Sequence, residues 1–125
     1  MKTTKINFAG EEYHLAYNGT AFFELQDIED IFTAMKTDFS VFCRVIKTLT
    51  EQGELVRRYQ GYDSGTFIRP EQLTIEMSAL DVIELRKAAA DAILAGMKRE
   101  VEGKKKTATS ASKNLKRKPA TAMKN

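Results

Sequence analysis

The sequence predicts a mainly α-helical domain with a small N-terminal β-hairpin, an α+β fold in which about three main helices pack together. Polar and apolar residues alternate with period two near the N-terminus, and apolar residues then recur three and four positions apart. The C-terminal stretch shows neither pattern. Because 125 residues suit one domain, we expect residues 1–102 to form a folded helical domain and residues 103–125 a disordered basic tail.

The N-terminal residues predict a hairpin. Residues 5–8 and 12–17 alternate in polarity around a short connector that contains Gly10. Ile6 and Phe8 then lie on one face of the hairpin. Since an isolated hairpin is marginal in water, we expect this face to pack on the helices.

The next two helices follow from apolar spacing and capping residues. We expect one helix over residues 21–35, begun by Asn18 or Thr20, with an apolar stripe at spacings of four, three, four and three. Its stripe consists of Ala21, Leu25, Ile28, Phe32 and Met35, and Phe22, Phe23 and Ile31 widen it. A second helix is predicted to start at Asp38 or Ser40 and to stop at Gly53.

The chain beyond Gly53 has turn residues and no helical period, which predicts an extended loop up to Pro70. Pro70 favours the first turn of a short helix over residues 71–76. Ser78, with Asp81 three residues later, then predicts the start of the last helix.

The last helix carries two apolar stripes. The first stripe consists of Leu80, Ile83, Ala90, Leu94, Met97 and Val101, and the second stripe consists of Val82, Leu85, Ala89 and Ile93. Two stripes on one helix imply burial on two sides, either within the monomer or against another copy.

The tail and the domain differ in charge. Residues 1–102 hold 12 basic and 17 acidic residues, a net charge of −5, whereas residues 103–125 hold 8 basic residues and no acid. Ordering the tail would cost on the order of 20–40 kcal/mol of backbone entropy. Its large apolar side chains, Leu115 and Met123, return about 1.5–3 kcal/mol each if buried. We therefore expect a solvated tail or a weak tether to an acidic partner, and we favour both over contact with nucleic acid.

No motif in the sequence indicates catalysis, and we predict a binding protein without metal or cofactor. The glycines form no phosphate-binding loop, and Cys43 and His14 are the sole residues of their types. Cys43 lies beside an apolar run and is predicted to be a small buried hydrophobe. A Cys–His nucleophile pair is disfavoured, because His14 lies in a strand pattern, Cys43 lies in a helix pattern and nothing nearby would activate either residue. The first residues lead into a strand and no apolar run has membrane-spanning length, so we expect a cytoplasmic protein that enters no membrane.

Residues 57–62 combine two arginines with two tyrosines, namely Arg57, Arg58, Tyr59 and Tyr62. These residue types are enriched at protein interface hot spots, and they also suit base stacking on single-stranded nucleic acid. A surface loop whose tyrosines pack back on the helices is equally open. The predicted partner-binding residues are these four together with Phe22, Phe23, Ile93 and Met97.

The N-terminal segment, with the sequence KINFAGEEYHLAYN over residues 5–18, resembles the start of tail assembly chaperones from long-tailed phages and prophages of Gram-positive bacteria. The order of parts is also similar over residues 1–102: a hairpin, two helices, an Arg- and Tyr-containing loop, a last helix and a basic tail. The resemblance implies a non-catalytic protein that coats the tape-measure protein, helps to recruit tail-tube protein and self-associates. It further implies the cytoplasm of the bacterial host and absence from the mature virion.

Two other functions remain open from the sequence. One is a small nucleic-acid-binding protein that uses the basic tail and residues 57–62, and the other is a minor structural component of a virion. The apolar stripes are consistent with a surface for a helical client and, to the same degree, with the wide faces that a small core needs.

Overall fold

The computed structural model describes residues 1–63 and 65–109 and has two strands followed by five helices within them. The prediction of a mainly helical chain with an N-terminal hairpin is confirmed. The elements are β1 (Thr4–Phe8), β2 (Glu11–Leu15), α1 (Gly19–Leu25), α2 (Ile31–Thr37), α3 (Phe39–Tyr59), α4 (Pro70–Glu76) and α5 (Ala79–Thr109).

The hairpin is antiparallel, with Ile6 paired to Tyr13. Its two-residue turn has positive φ at both positions, 52° at Ala9 and 82° at Gly10, which is the turn that matches the twist of paired strands. Phe8 and Tyr13 are buried, and Ile6 packs on the same core. The predicted inner face of the hairpin is therefore confirmed.

The single helix predicted over residues 21–35 is wrong, because two short helices take its place. Asn18 does cap α1, since its side-chain oxygen accepts from the backbone N–H of Ala21 at 2.9 Å. The chain then leaves the helix after Leu25, and Asp30 adopts a left-handed conformation with φ 48°. The Asp30 carboxylate accepts from the hydroxyl of Thr33 at 2.8 Å, so a new helix begins there.

The predicted end of the second helix at Gly53 is also wrong. Helix α3 is capped by Asp38, as predicted, but it continues to Tyr59. A Cβ atom on Gly53 would lie 1.9 Å from the carbonyl oxygen of His14. Gly53 is thus a point of close contact between α3 and β2 and does not terminate the helix.

Helix α3 lies at the centre of the fold and contacts both other long elements, the hairpin and α5. Its buried side chains include Phe42, Val45, Ile46 and Leu49. The loop after α3 is tied to this core, because the hydroxyl of Thr50 accepts from the backbone N–H of Ile68 at 3.0 Å. The short helix at Pro70 is confirmed as α4.

Helix α5 begins with the predicted cap. The backbone N–H of Ser78 donates to the Asp81 carboxylate at 3.0 Å, and the backbone N–H of Asp81 donates to the Ser78 hydroxyl at 3.2 Å. The helix continues to Thr109, beyond the predicted boundary at Glu102. The remainder of the predicted tail, residues 110–125, lies outside the described residues. Within the described part of the chain, no helix combines the length and the apolar character that crossing a membrane requires.

Candidate functional site

The first stripe of α5 faces solvent. Leu80, Ile83, Leu94 and Met97 are 60%, 57%, 54% and 46% exposed, and Ala90 between them is partly buried. Val101, the last predicted member, lies beyond the side chains that the structure describes. Four large apolar side chains are therefore exposed along one face of α5.

The second stripe belongs to the core. Leu85, Ala89 and Ile93 are at most 1% exposed, and Val82 is partly buried. The prediction of Ile93 as a partner-binding residue is therefore wrong, because its side chain is enclosed by the hydrophobic core. Its neighbour Leu94 is the exposed residue at this level of the helix, and Met97, also predicted, is exposed.

The sequence does contain a signal that separates the two stripes. Lys87 continues the first stripe between Ile83 and Ala90, and lysine is almost never fully buried unless it is paired. The second stripe is instead accompanied by the small buried residues Ala88 and Ala92. A charged residue in one stripe and small residues beside the other mark which side faces the protein.

The predicted residues Phe22 and Phe23 are exposed on α1, at 52% and 71%. Phe22 contacts Tyr17 edge-on, with ring centroids 6.4 Å apart and planes at 81°. Tyr17 in turn touches α5, because a Cβ atom on Gly96 would lie 2.2 Å from the Tyr17 carbonyl oxygen. Tyr17 thereby connects Phe22 to the C-terminal end of the first stripe, next to Met97.

Arg57 and Tyr62 are held together by the C-terminus of α3. Gly61, with φ 96°, reverses the direction of the chain after the helix. The backbone N–H of Tyr62 donates to the carbonyl oxygen of Arg57 at 3.0 Å, and the backbone N–H of Gly61 donates to the carbonyl oxygen of Arg58 at 3.1 Å. This closure brings the Arg57 guanidinium over the Tyr62 ring at 4.5 Å from its centroid. The extended loop predicted after Gly53 is thus wrong up to Tyr59, where the helix ends.

The other two residues of this segment differ in role. Arg58 donates through Nε to the Glu54 carboxylate at 3.2 Å, and that buried carboxylate also accepts from the backbone N–H of Gly65. Arg58 therefore neutralises a charge that holds the following loop. Tyr59 is 93% exposed and points away from the protein, so it is the most accessible of the four predicted residues.

An open groove separates Arg57 and Tyr62 from the first strand, and it is lined by both signs of charge. Lys2 and Lys5 line the groove, and Glu12 forms an ion pair with Lys5 at 3.7 Å and contacts the His14 ring at 3.2 Å. Burial, followed by the nearby Arg57 charge, lowers the pKa of His14. Three basic side chains, Lys2, Lys5 and Arg57, and one acidic side chain, Glu12, line the groove, so its net charge is positive.

Cys43 is buried, as predicted, and burial raises the pKa of its thiol. A thiol held protonated is a poor nucleophile and a poor metal ligand. Among residues 1–63 and 65–109, no cluster of three or more histidine, cysteine or acidic side chains is placed to hold a metal ion.

Comparison of the chain with protein-family models, with curated proteins and with solved structures finds no match.

Proposed function

We propose that this chain is a non-catalytic tail assembly chaperone that binds a long helical tape-measure protein and helps to recruit tail-tube subunits. The observation that carries the proposal is the first stripe of α5, which stays exposed although the domain has a complete core without it. The resemblance of residues 5–18 to tail assembly chaperones supplies the identity of the client. An amphipathic client helix is the natural complement of such a stripe.

The size of the stripe fits a reversible interaction. Fully burying a leucine, isoleucine or methionine side chain is worth about 1.5–3 kcal/mol. Leu80, Ile83, Leu94 and Met97 are each about half exposed, so covering them gives about 3–6 kcal/mol, with a similar amount from the client. Association costs about 4–15 kcal/mol in lost freedom. The balance favours a complex that forms and dissociates readily, as a chaperone requires when tube subunits replace it.

Phe22 and Phe23 extend the proposed client surface. Both are exposed on α1, and Tyr17 connects Phe22 to the end of α5 that carries Met97. A client helix longer than the first stripe would reach these aromatic side chains. We expect them to add affinity while the stripe sets the direction of the bound helix.

Co-expression with the tape-measure protein tests the proposal. The wild-type chain should co-purify with that protein and raise its soluble yield, whereas the double variant Ile83→Ser with Leu94→Ser should lose both effects. Ile75→Ser is the matched control, because Ile75 is 81% exposed but belongs to α4 and not to the stripe on α5. Failure of the wild-type chain to co-purify would contradict the proposal.

The alternative of a nucleic-acid-binding protein rests on Tyr59, whose ring is free to stack on a base beside Arg57 and Arg58. Against it, Arg57 is stacked on Tyr62 and Arg58 is paired with Glu54. Fluorescence anisotropy with single-stranded DNA and RNA at low salt separates the two functions. Binding that weakens steeply with salt and is lost in Tyr59→Ser would favour the alternative.

A further inference from the structure

The first stripe has the spacing of a coiled-coil surface. Leu80, Ile83, Lys87, Ala90, Leu94 and Met97 follow one another at intervals of three, four, three, four and three residues. This is the a and d pattern by which one helix packs along another. The exposed side of α5 is therefore shaped for a second helix along its length.

From Leu80 to Met97 the stripe is also symmetric about the point midway between Ala88 and Ala89. When two copies of α5 lie antiparallel about that point, Leu80 faces Met97, Ile83 faces Leu94 and Lys87 faces Ala90. Each large apolar side chain then meets another large one, and each lysine meets the small side chain that leaves it room. One pairing satisfies every position from Leu80 to Met97 at once, and a two-fold axis generates it.

Lys87 decides the direction of the pair. In a parallel pair the two Lys87 side chains would face each other in one layer, and two like charges there are unfavourable. In the antiparallel pair they lie in adjacent layers, about 4.5 Å apart along the helix axis, and each extends beyond the partner's Ala90 toward Asp91 of the other copy. Within one chain, Lys87 already contacts Asp91 at 3.7 Å, which places opposite charges on this flank.

We propose that a second copy of this chain covers the first stripe, with the two α5 helices antiparallel and Leu80 of one copy facing Met97 of the other. The pairing follows from α5 alone. A regulatory role for this pairing rests on the proposed function. The second copy covers the stripe that binds the client until a client helix displaces that copy.

Cysteine cross-linking tests the register. Leu80→Cys and Met97→Cys are made as separate proteins, and the wild-type chain, whose Cys43 is buried, serves as the blank. Under mild oxidation, a mixture of the two variants should form a disulfide-linked heterodimer, whereas each variant alone should stay monomeric on a non-reducing gel. Homodimers of each variant alone would indicate parallel helices and overturn the proposal, as would the absence of any cross-link.

Substitution of Lys87 tests whether this residue makes the two α5 helices pair in the antiparallel direction. Lys87→Leu should tighten self-association at least tenfold in sedimentation velocity, because a polar residue at an a position fixes orientation at a cost in stability. In the Lys87→Leu background, Leu80→Cys alone should begin to cross-link, since parallel pairing is no longer opposed. Unchanged or weaker self-association of the Lys87→Leu variant would contradict the proposed pairing, in which Lys87 of one copy faces Ala90 of the other.

A third pair of variants separates this inference from the proposed function. Leu94→Glu should weaken self-association at least tenfold, and the control Ile75→Glu should leave it unchanged. A wild-type chain that stays monomeric at millimolar concentration but still co-purifies with the tape-measure protein would refute self-pairing alone. A dimer that binds no tape-measure protein would refute the proposed function alone.

Discussion

The two faces of α5 carry almost the same kinds of residue and end in opposite environments. Leu85, Ala89 and Ile93 of the second stripe are buried in the core of a fold in which α5 contacts the hairpin, α2 and α3, whereas Leu80, Ile83 and Leu94 of the first stripe are about half exposed. Hydrophobicity does not distinguish them. The difference shows that an apolar stripe identifies a contact surface, and that the residues in and beside it, such as Lys87 in the first stripe and Ala88 and Ala92 beside the second, indicate whether the contact is internal.

The largest difference in stability between the two faces is expected from substitutions at the adjacent residues Ile93 and Leu94. Ile93→Ala removes a side chain that is 0% exposed, and we expect the free energy of unfolding to fall by about 2–5 kcal/mol. Leu94→Ala should lower it by about 1 kcal/mol or less, because about half of this side chain is already exposed. Urea unfolding at low protein concentration measures both. Similar losses in the two variants would mean that the first stripe also belongs to the core.

A smaller effect is expected where α5 touches the chain after the hairpin. A Cβ atom on Gly96 would lie 2.2 Å from the Tyr17 carbonyl oxygen and 3.0 Å from its Cβ atom. Alanine gains about 1 kcal/mol in helix propensity, but the overlap costs about 1–3 kcal/mol and forces α5 outward. We expect a net loss of stability in Gly96→Ala. Gly19→Ala is the control, because nothing lies within 4 Å of a Cβ atom there, and it should be neutral or stabilising.

The features that were predicted correctly depend on residues close together in sequence. The hairpin, the caps at Asn18 and Asp38, the start of α4 at Pro70 and the Ser78 cap each depend on contacts within a few positions. Such contacts are set by local backbone geometry, so they can be predicted from the sequence without knowledge of the fold.

The features that were missed depend on distant parts of the chain. Gly53 looked like a helix end because glycine often is one, but its role is set by His14, which lies 39 positions earlier. The break between α1 and α2 was hidden because apolar spacing continues across it while Asp30 caps a new helix. At the candidate site, the residue types over residues 57–62 were evident, but the stacking of Tyr62 on Arg57 follows from where α3 ends.

The smallest effect concerns the start of α5, where both faces begin. Ser78→Ala removes the hydroxyl that accepts from the backbone N–H of Asp81 at 3.2 Å, and we expect a loss of about 1 kcal/mol in unfolding free energy. Ser78→Thr keeps an acceptor and should retain most of the stability. Because Leu80 lies in this first turn, Ser78→Ala should also weaken self-association slightly in sedimentation velocity. The more deeply packed Leu85 side chain should hold the second stripe in place, so near-ultraviolet circular dichroism of the folded core should not change. A collapse of that signal in Ser78→Ala would show that the cap supports both faces equally, and the division of α5 into a core face and a free face would then begin only after its first turn.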